Sequence, residues 1–514
     1  MQKIDMLVRG AQLVTAHDQP AISDGAVAIQ DGKVLETGPY QELKQKYPEA
    51  RQELGNEKYL IIPGLINSHG HGRGLSDFQR GALDNTLESW RTNAFKYTPV
   101  ATYDDVAFSA VRMLKSGVTA TMHNHLLRSP VNYQEQFSDV IGSYQDVGVR
   151  LLLCPGVRNA NPFVYGDNDS FRLGLSPETQ AQLAARKVPG MTADEYCQVV
   201  KELHQAHQDT SIRIGFGPVA PQWCTADLLQ AIKKEADHEG LLIHLHTLQT
   251  VFQKVYALTT HGKSYVAYLK DIGLLDKNLI LGHCVFPTEK DIELMAAAGT
   301  GVTHHPSCNL RTRNGISPAY AMLEAGVNVG LGMDGKTIND DDDLIQDMKV
   351  CRLLHRTNSL ELDSPTLSNR QVLKMATENG AKLIGFGAEL GRLEPGRLAD
   401  LVLLDYQAMT YPYTQPEHDP VDVLLYRGSG RHVDMVLIGG KVVVKGGEVL
   451  NVNEKEIAAR LAQAAARPLT EDELAFHRAV DELHAKTIEF FSGWSQKVGL
   501  APFHSVNSRT DGLK

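Results

Sequence analysis

No two of the chain's six cysteines stand as a CxxC pair: Cys154, Cys197, Cys224, Cys284, Cys308 and Cys351 are scattered over 514 residues. That excludes a disulfide frame and a thiolate zinc site, and it is the pattern expected of reduced thiols in a cytoplasmic protein. Each cysteine reads as a small buried hydrophobe. No run approaches the ~20 apolar residues of a membrane span. The opening MQKIDMLVRG has no apolar stretch behind a basic start, so no secretory signal is expected. Dense Lys/Arg clusters are also missing, and the formal net charge is −10. Nucleic acid and anionic membrane are therefore not expected as partners. A Gly-rich dinucleotide loop is absent too, which counts against a doubly wound nucleotide-binding sheet.

What is present is an ordinary globular composition, 42% hydrophobic and 22% charged, in a chain long enough for more than one domain. Both ends read as β structure. Met6–Leu13 alternates, and Asp31-Gly32 closes a hairpin between Gly25–Gln30 and Lys33–Thr37. Near the other end Ala399–Asp405 is an apolar strand run, and Gly439-Gly440 closes a hairpin between Val433–Ile438 and Lys441–Lys445. Between these ends, short apolar runs alternate with helical stretches: Leu60–Leu65, Val118–Met122, Val149–Leu153, Ile212–Phe216, Leu241–Leu245, Leu279–Leu281, Gly301–Thr303 and Val327–Leu331. Eight βα units predict a closed (β/α)8 barrel, the TIM barrel of the α/β class. The expected division is a composite β-sandwich domain from residues 1–60 and 390–450, a barrel over 61–389, and a C-terminal helical extension and tail over 451–514. Thr470 is the expected N-cap of a helix over 471–494, and the tail past Gly499 reads as loose. The aspartates Asp340–Asp343 read mostly as a solvated helix start.

A barrel carries its chemistry at the C-terminal ends of its strands. Strand one ends in His69-Gly70-His71, whose two imidazoles, two residues apart, point to one side of an extended chain. Strand five ends in His244-Leu245-His246, strand six in Gly282-His283, and strand eight in Asp334-Gly335. Imidazoles with one carboxylate suit a divalent first-row metal. Any one of these residues is weak evidence; their coincidence at one end of four strands is the signal.

Ile62–His71 resembles the PGLxDxHxH signature of the amidohydrolase superfamily. The resemblance continues through Leu281–Cys284, Pro306–Asn309 with Gly315–Pro318, Gly332–Gly335, Ala376–Ala381 and Gly391–Val402. It is similar to the branch of cytosine, guanine and S-adenosylhomocysteine deaminases, triazine hydrolases and molinate- or phenylurea-type hydrolases. Binuclear relatives use a strand-four lysine, and Ile212–Pro218 has none, so the resemblance implies one metal per subunit. It implies His69, His71, His246 and Asp334 as ligands, with His283 beside them as a catalytic neighbour or further ligand. Zn is expected first; Fe(II), Co and Mn also fit the donor set. Asp334 is expected to take the proton of an activated water.

Deaminases of this branch carry a glutamate three residues after the strand-five ligand. Here that position is Gln249, which hydrogen-bonds but carries no titratable proton. The first reading is therefore hydrolysis of an amide-, urea-, carbamate- or thiocarbamate-like carbon, with C–N or C–S cleavage. The alternative is a deaminase or dechlorinase of a nitrogen heteroaromatic (purine, pyrimidine, pterin or s-triazine), in which His244, Glu88 or Glu378 replaces the missing acid. A non-catalytic metal-binding scaffold comes last. Candidate substrate contacts are Arg73, Trp90, His123, His125, His304 and His305, with Trp223 and Phe286 as apolar walls and Asn309 as a brace. Gly72–Thr98 and Gly156–Met191 are long enough to be lids. A small-molecule substrate and a homodimer or homotetramer are expected.

Overall fold

The computed structural model describes residues 3–126, 133–186, 190–207, 211–356 and 362–494. The tail past Gly499 lies outside the described residues.

The barrel strands are β1 (Leu65–Asn67), β2 (Val118–Leu126), β3 (Arg150–Val157), β4 (Ile212–Ile214), β5 (Ile243–Thr247), β6 (Leu279–His283), β7 (Gly301–His304) and β8 (Val329–Leu331). β1–β4 pair in parallel, and so do β5–β8. A parallel bridge from Phe216 to Ile243 joins the halves on one side. On the other, Ser68 N donates to Leu331 O at 2.8 Å. The predicted barrel is therefore closed, and nearly every strand residue is buried, as expected of strands covered on both faces.

The run Leu60–Leu65 divides, against the expectation of one barrel strand. Residues up to Pro63 complete a long strand, Gln52–Pro63, in the sheet made by the chain ends, and the barrel strand begins at Leu65. Leu60, Ile61 and Ile62 are as apolar as any barrel strand, so composition could not separate them. The break falls at Gly64, where a Cβ would lie 2.2 Å from Thr119 Oγ1.

Both chain ends build one eight-stranded sheet. Its order is Glu448–Val449, Lys441–Lys445, Val433–Ile438, Leu401–Asp405, Gln52–Pro63, Met6–Leu13, Ile22–Gln30, Lys33–Pro39. One apolar cluster joins Val8, Val27 and Ile29 of the first strands to Leu401, Leu403 and Leu437 of the last. The two glycine turns read as hairpins meet: a Cβ on Gly32 would touch Gly439 O at 2.8 Å.

The C-terminal helix spans Glu471–Phe491, with Thr470 as N-cap in a capping box with Glu473. It packs on its own chain, against the helix Leu87–Asn93 and the helix Pro177–Ala185. Phe491 and Trp494 join Leu87, Tyr165, Trp223 and Val255 in a cluster over the barrel mouth. The aspartate run is only partly a solvated start. Asp343 caps the helix Leu344–Leu354, and both Asp342 and Asp343 are buried. Burial pushes Asp342 up to about 6, against the attraction of Arg112. Among the described residues no helix is long and apolar enough to cross a membrane.

Candidate metal centre

The strand ends bring four of the predicted side chains into one ring. Ligand atoms of His69, His71, His246 and Asp334 all lie within 4.8 Å of one another. Asp334 Oδ1 is 3.2 Å from His69 Nε2 and 3.0 Å from His71 Nε2. His283 Nε2 is 3.7 Å from Asp334 Oδ2 and is buried with no hydrogen-bond partner among the described residues.

The backbone aims these groups. Asp334 and His283 adopt positive φ, 58° and 70°, a region that non-glycine residues visit only where the surroundings impose it. Gly72, directly after the HxH pair, has φ 57°, and a Cβ there would lie 2.4 Å from the ring of His123. That position must be glycine for the turn to close over β2.

Outer contacts fix which nitrogen faces inward. His71 Nδ1 donates to Asn124 O at 2.9 Å, and His246 Nδ1 donates to Val219 O at 2.6 Å. A carbonyl only accepts, so both rings donate through Nδ1 and turn Nε2 inward. His283 Nδ1 pairs with Asn309 Oδ1 at 3.0 Å, so Asn309, expected to brace the loop after β7, also fixes this ring. Burial pushes His69 down to about 4, against the pull of Asp334. It also lowers His246 and His283. Burial by itself would raise Asp334, but hydrogen bonds from His69 and His71 outweigh it and hold the carboxylate well below its usual range. Neutral imidazoles and an ionised carboxylate are the protonation states a divalent cation requires. With the orphaned Nε2 of His283, this donor set fits such an ion.

The remaining predicted residues divide. His305 reaches the ring; its Nδ1 is 3.1 Å from His283 Nδ1, and its other nitrogen pairs with Thr303. His304 faces away, 3.3 Å from His355 in the outer helical layer. The alternation of a strand sends neighbours to opposite sides, so His304 is not brought to the site. His123 and His125 lie against each other, with Tyr144 on His123. Arg73 pairs with Asp77 at 3.7 Å and lies 5.1 Å from the ring of Trp90. Trp223 and Phe286 pack in apolar clusters. His244 supports His69, with Nε2 3.3 Å from His69 Nδ1. Glu378 is engaged by His17 and Arg392, beside the strands from the chain ends, and is not a neighbour of the ring. Gln249 is buried just past β5, and its backbone N–H donates to Gln253 Oε1 at 2.8 Å.

Sequence reasoning missed two neighbours of the ring. Cys308, read as an inert hydrophobe, donates through Sγ to Asp334 Oδ2 at 2.9 Å. Lys336, two residues past Asp334, is buried, pairs with Asp77 and Asp84, and lies 5.1 Å from the Trp90 ring. The position of Cys308 in the Pro306–Asn309 motif was the available signal; Lys336 had none.

A closed barrel with this ring at the C-terminal ends of its strands defines a metal-dependent hydrolase. The chain belongs to the amidohydrolase family, whose model matches residues 60–443. A model of an imidazolonepropionase-like composite domain of bacteria matches residues 25–50, in the end sheet. The chain is 30% identical to a 5′-deoxyadenosine deaminase of Methanosarcina barkeri, over 91% of this chain and 99% of the relative. It is 29% identical to a 5-methylthioadenosine/S-adenosylhomocysteine deaminase of Desulforudis audaxviator, again over 91% and 99%. Among solved structures, a zinc-bound adenosine deaminase from Xanthomonas campestris superposes with a TM-score of 0.76 at 24% identity, covering 90% of this chain and 98% of that one. An atrazine chlorohydrolase from Arthrobacter aurescens, complexed with zinc, gives 0.75 at 21% identity, covering 90% and 100%. The chain is thus a hydrolase of the class acting on carbon–nitrogen bonds other than peptide bonds.

Proposed function

We propose that this chain hydrolyses the exocyclic C–N bond of a nitrogen heteroaromatic ring, with an adenosine-type purine as the leading substrate class. The observation that carries the reading is its end-to-end likeness to deaminases of 5′-deoxyadenosine and related nucleosides. His69, His71, His246 and Asp334 are assigned to one divalent ion, zinc foremost, with His283 beside it. The zinc of two solved relatives supports that choice. Such an ion makes a bound water acidic enough to ionise near neutral pH. Asp334 then takes the water proton, and His283, fixed by Asn309, stabilises the charge that develops on the attacking oxygen. Arg73 and Trp90, with Lys336, are assigned to the substrate pocket.

Gln249 supports a second reading, the amide-, urea-, carbamate- or thiocarbamate-like substrate, because that chemistry needs no ring protonation. Ammonia release from 5′-deoxyadenosine, S-adenosylhomocysteine and an amino-s-triazine, against hydrolysis of ureas and carbamates, separates the two. Turnover confined to the second group overturns the purine reading. The buried free cysteines support a cytoplasmic location. A homodimer or homotetramer is also proposed, and the functional division is taken as end-sheet domain, barrel and C-terminal extension.

A further inference from the structure

Ring deamination needs an acid to protonate a ring nitrogen, and position 249 holds an amide. The adjacent residue points to a replacement. Thr250 donates its hydroxyl to Glu88 Oε1 at 2.6 Å, across 162 residues of sequence. Tyr165 donates to the same oxygen at 3.0 Å. Among the described residues the other oxygen, Oε2, is buried with no side-chain hydrogen-bond partner, and Glu88 as a whole is 5% exposed. An ionised carboxylate with a bare buried oxygen is costly; as a carboxylic acid, that oxygen becomes a donor facing an acceptor yet to arrive. Burial raises the carboxyl's pKa, against the hydrogen bonds of Thr250, of its own backbone N–H and of Tyr165, and the charge of Arg91.

The helix carrying Glu88, Leu87–Asn93, follows β1, and through Glu88 it meets Thr250, past the end of β5, and Tyr165, past the end of β3. Trp90 on the same helix is approached by Arg73 and Lys336, which follow His71 and Asp334 by two residues each. From above, the C-terminal helix packs on it through Thr92, bonded to His484, and through the Lys96–Asp481 pair on the short turn that follows. The polar and charged groups facing the Glu88 carboxyl are therefore Thr250, its own backbone N–H, Tyr165 and Arg91, with His484 and Asp481 engaged elsewhere along this packing.

We infer that Glu88 is the general acid of the ring hydrolysis, supplying across space the carboxyl that position 249 lacks. The inference rests on the heteroaromatic reading. Water gives one proton to Asp334 and its oxygen adds to the ring carbon, while Glu88 gives its proton to the ring nitrogen. Asp334 returns the water proton to the exocyclic amine. The C–N bond breaks, ammonia leaves, and the hydroxyl proton of the adduct passes to the Glu88 carboxylate as the ring carbonyl forms. Both carboxyls end as they began.

The test is steady-state kinetics of Glu88→Gln and of Glu88→Gln with Gln249→Glu, on 5′-deoxyadenosine and an amino-s-triazine. Bound metal and melting temperature are measured alongside. Glutamine preserves an acceptor for Thr250 and Tyr165, so both controls are expected to match the wild type. The single variant is expected to lose about 10²–10⁴-fold in kcat with little change in KM. It is also expected to lose the alkaline limb of its pH profile, because the acid form of Glu88 is the active one. The double variant is expected to regain at least about 10-fold. Ring turnover by the wild type with kcat unchanged in Glu88→Gln overturns this inference alone, as does a lost kcat that the double variant fails to regain. Turnover of ureas or carbamates only, unaffected by Glu88→Gln, overturns both this inference and the purine reading.

Discussion

The metal ring and the roof above it are built on opposite principles. The ring is polar, sits on strand ends, and takes its members from β1, β5, β6 and β8, each locked by a second contact such as Asn124 O or Val219 O. The roof is apolar and aromatic. It joins three segments far apart in the chain, through Leu87, Tyr165 and Phe491. The ring gathers the ionisable groups; the roof packs distant segments of the chain against one another. A fold can keep the first unchanged while the second varies.

The strongest challenge to this contrast is at the ring. Asp334→Asn is expected to lower kcat about 10⁴-fold and to weaken metal retention; both are read by turnover and by metal analysis after dialysis. A variant that keeps its rate would remove Asp334 as the base. At the roof, Phe491→Ala is expected to cost about 3 kcal/mol of helix docking. It should raise KM and increase proteolysis within 471–494 while leaving metal content unchanged. A loss of metal would show that the two regions are not separable.

Between them, Gln249→Ala is expected to lower activity about 10–100-fold through lost positioning. A fall beyond about 10⁴-fold in its kinetics would assign Gln249 to proton transfer or the metal instead. The remaining effect is on pH-dependent stability and needs no turnover to read. In the chelated protein His69 titrates at about 4, below the ordinary histidine value, chiefly through burial. The unfolded chain therefore binds more protons than the folded one below pH ~6.5. Stability is full above that value and falls toward pH 4, by up to about 1.4 kcal/mol per pH unit for this group. Urea denaturation across that range checks it; a flat profile would show that the ring is not held neutral by burial.

The ring was legible because its members stand where a strand pattern stops. His69, His71, His246, His283 and Asp334 each follow an apolar run, and alternation alone places side chains two apart on one side. The sequence left His304 and His305 undivided; His304 lies one position out of phase with His305 and so faces the outer helices. The strand pattern failed at Leu60–Leu65 because two adjoining strands of different sheets share one composition. Glu88 could be named only as one of three possible acids, and nothing local separated it from Glu378. The contact with Thr250 and the ion pair with Arg392 are both tertiary facts.

By itself the sequence determined a barrel with a His/Asp metal ring and a glutamine where a ring deaminase carries its acid. The barrel and the ring follow from periodicity and strand-end position, which are local properties of the backbone; the meaning of the glutamine follows from the resemblance to the deaminase branch. Only the tertiary structure decided that the C-terminal helix roofs its own barrel mouth, that Cys308 and Lys336 flank Asp334, and that a buried carboxyl lies against position 250. Those depend on which distant segments share a burial, and burial is settled by packing the whole chain at once.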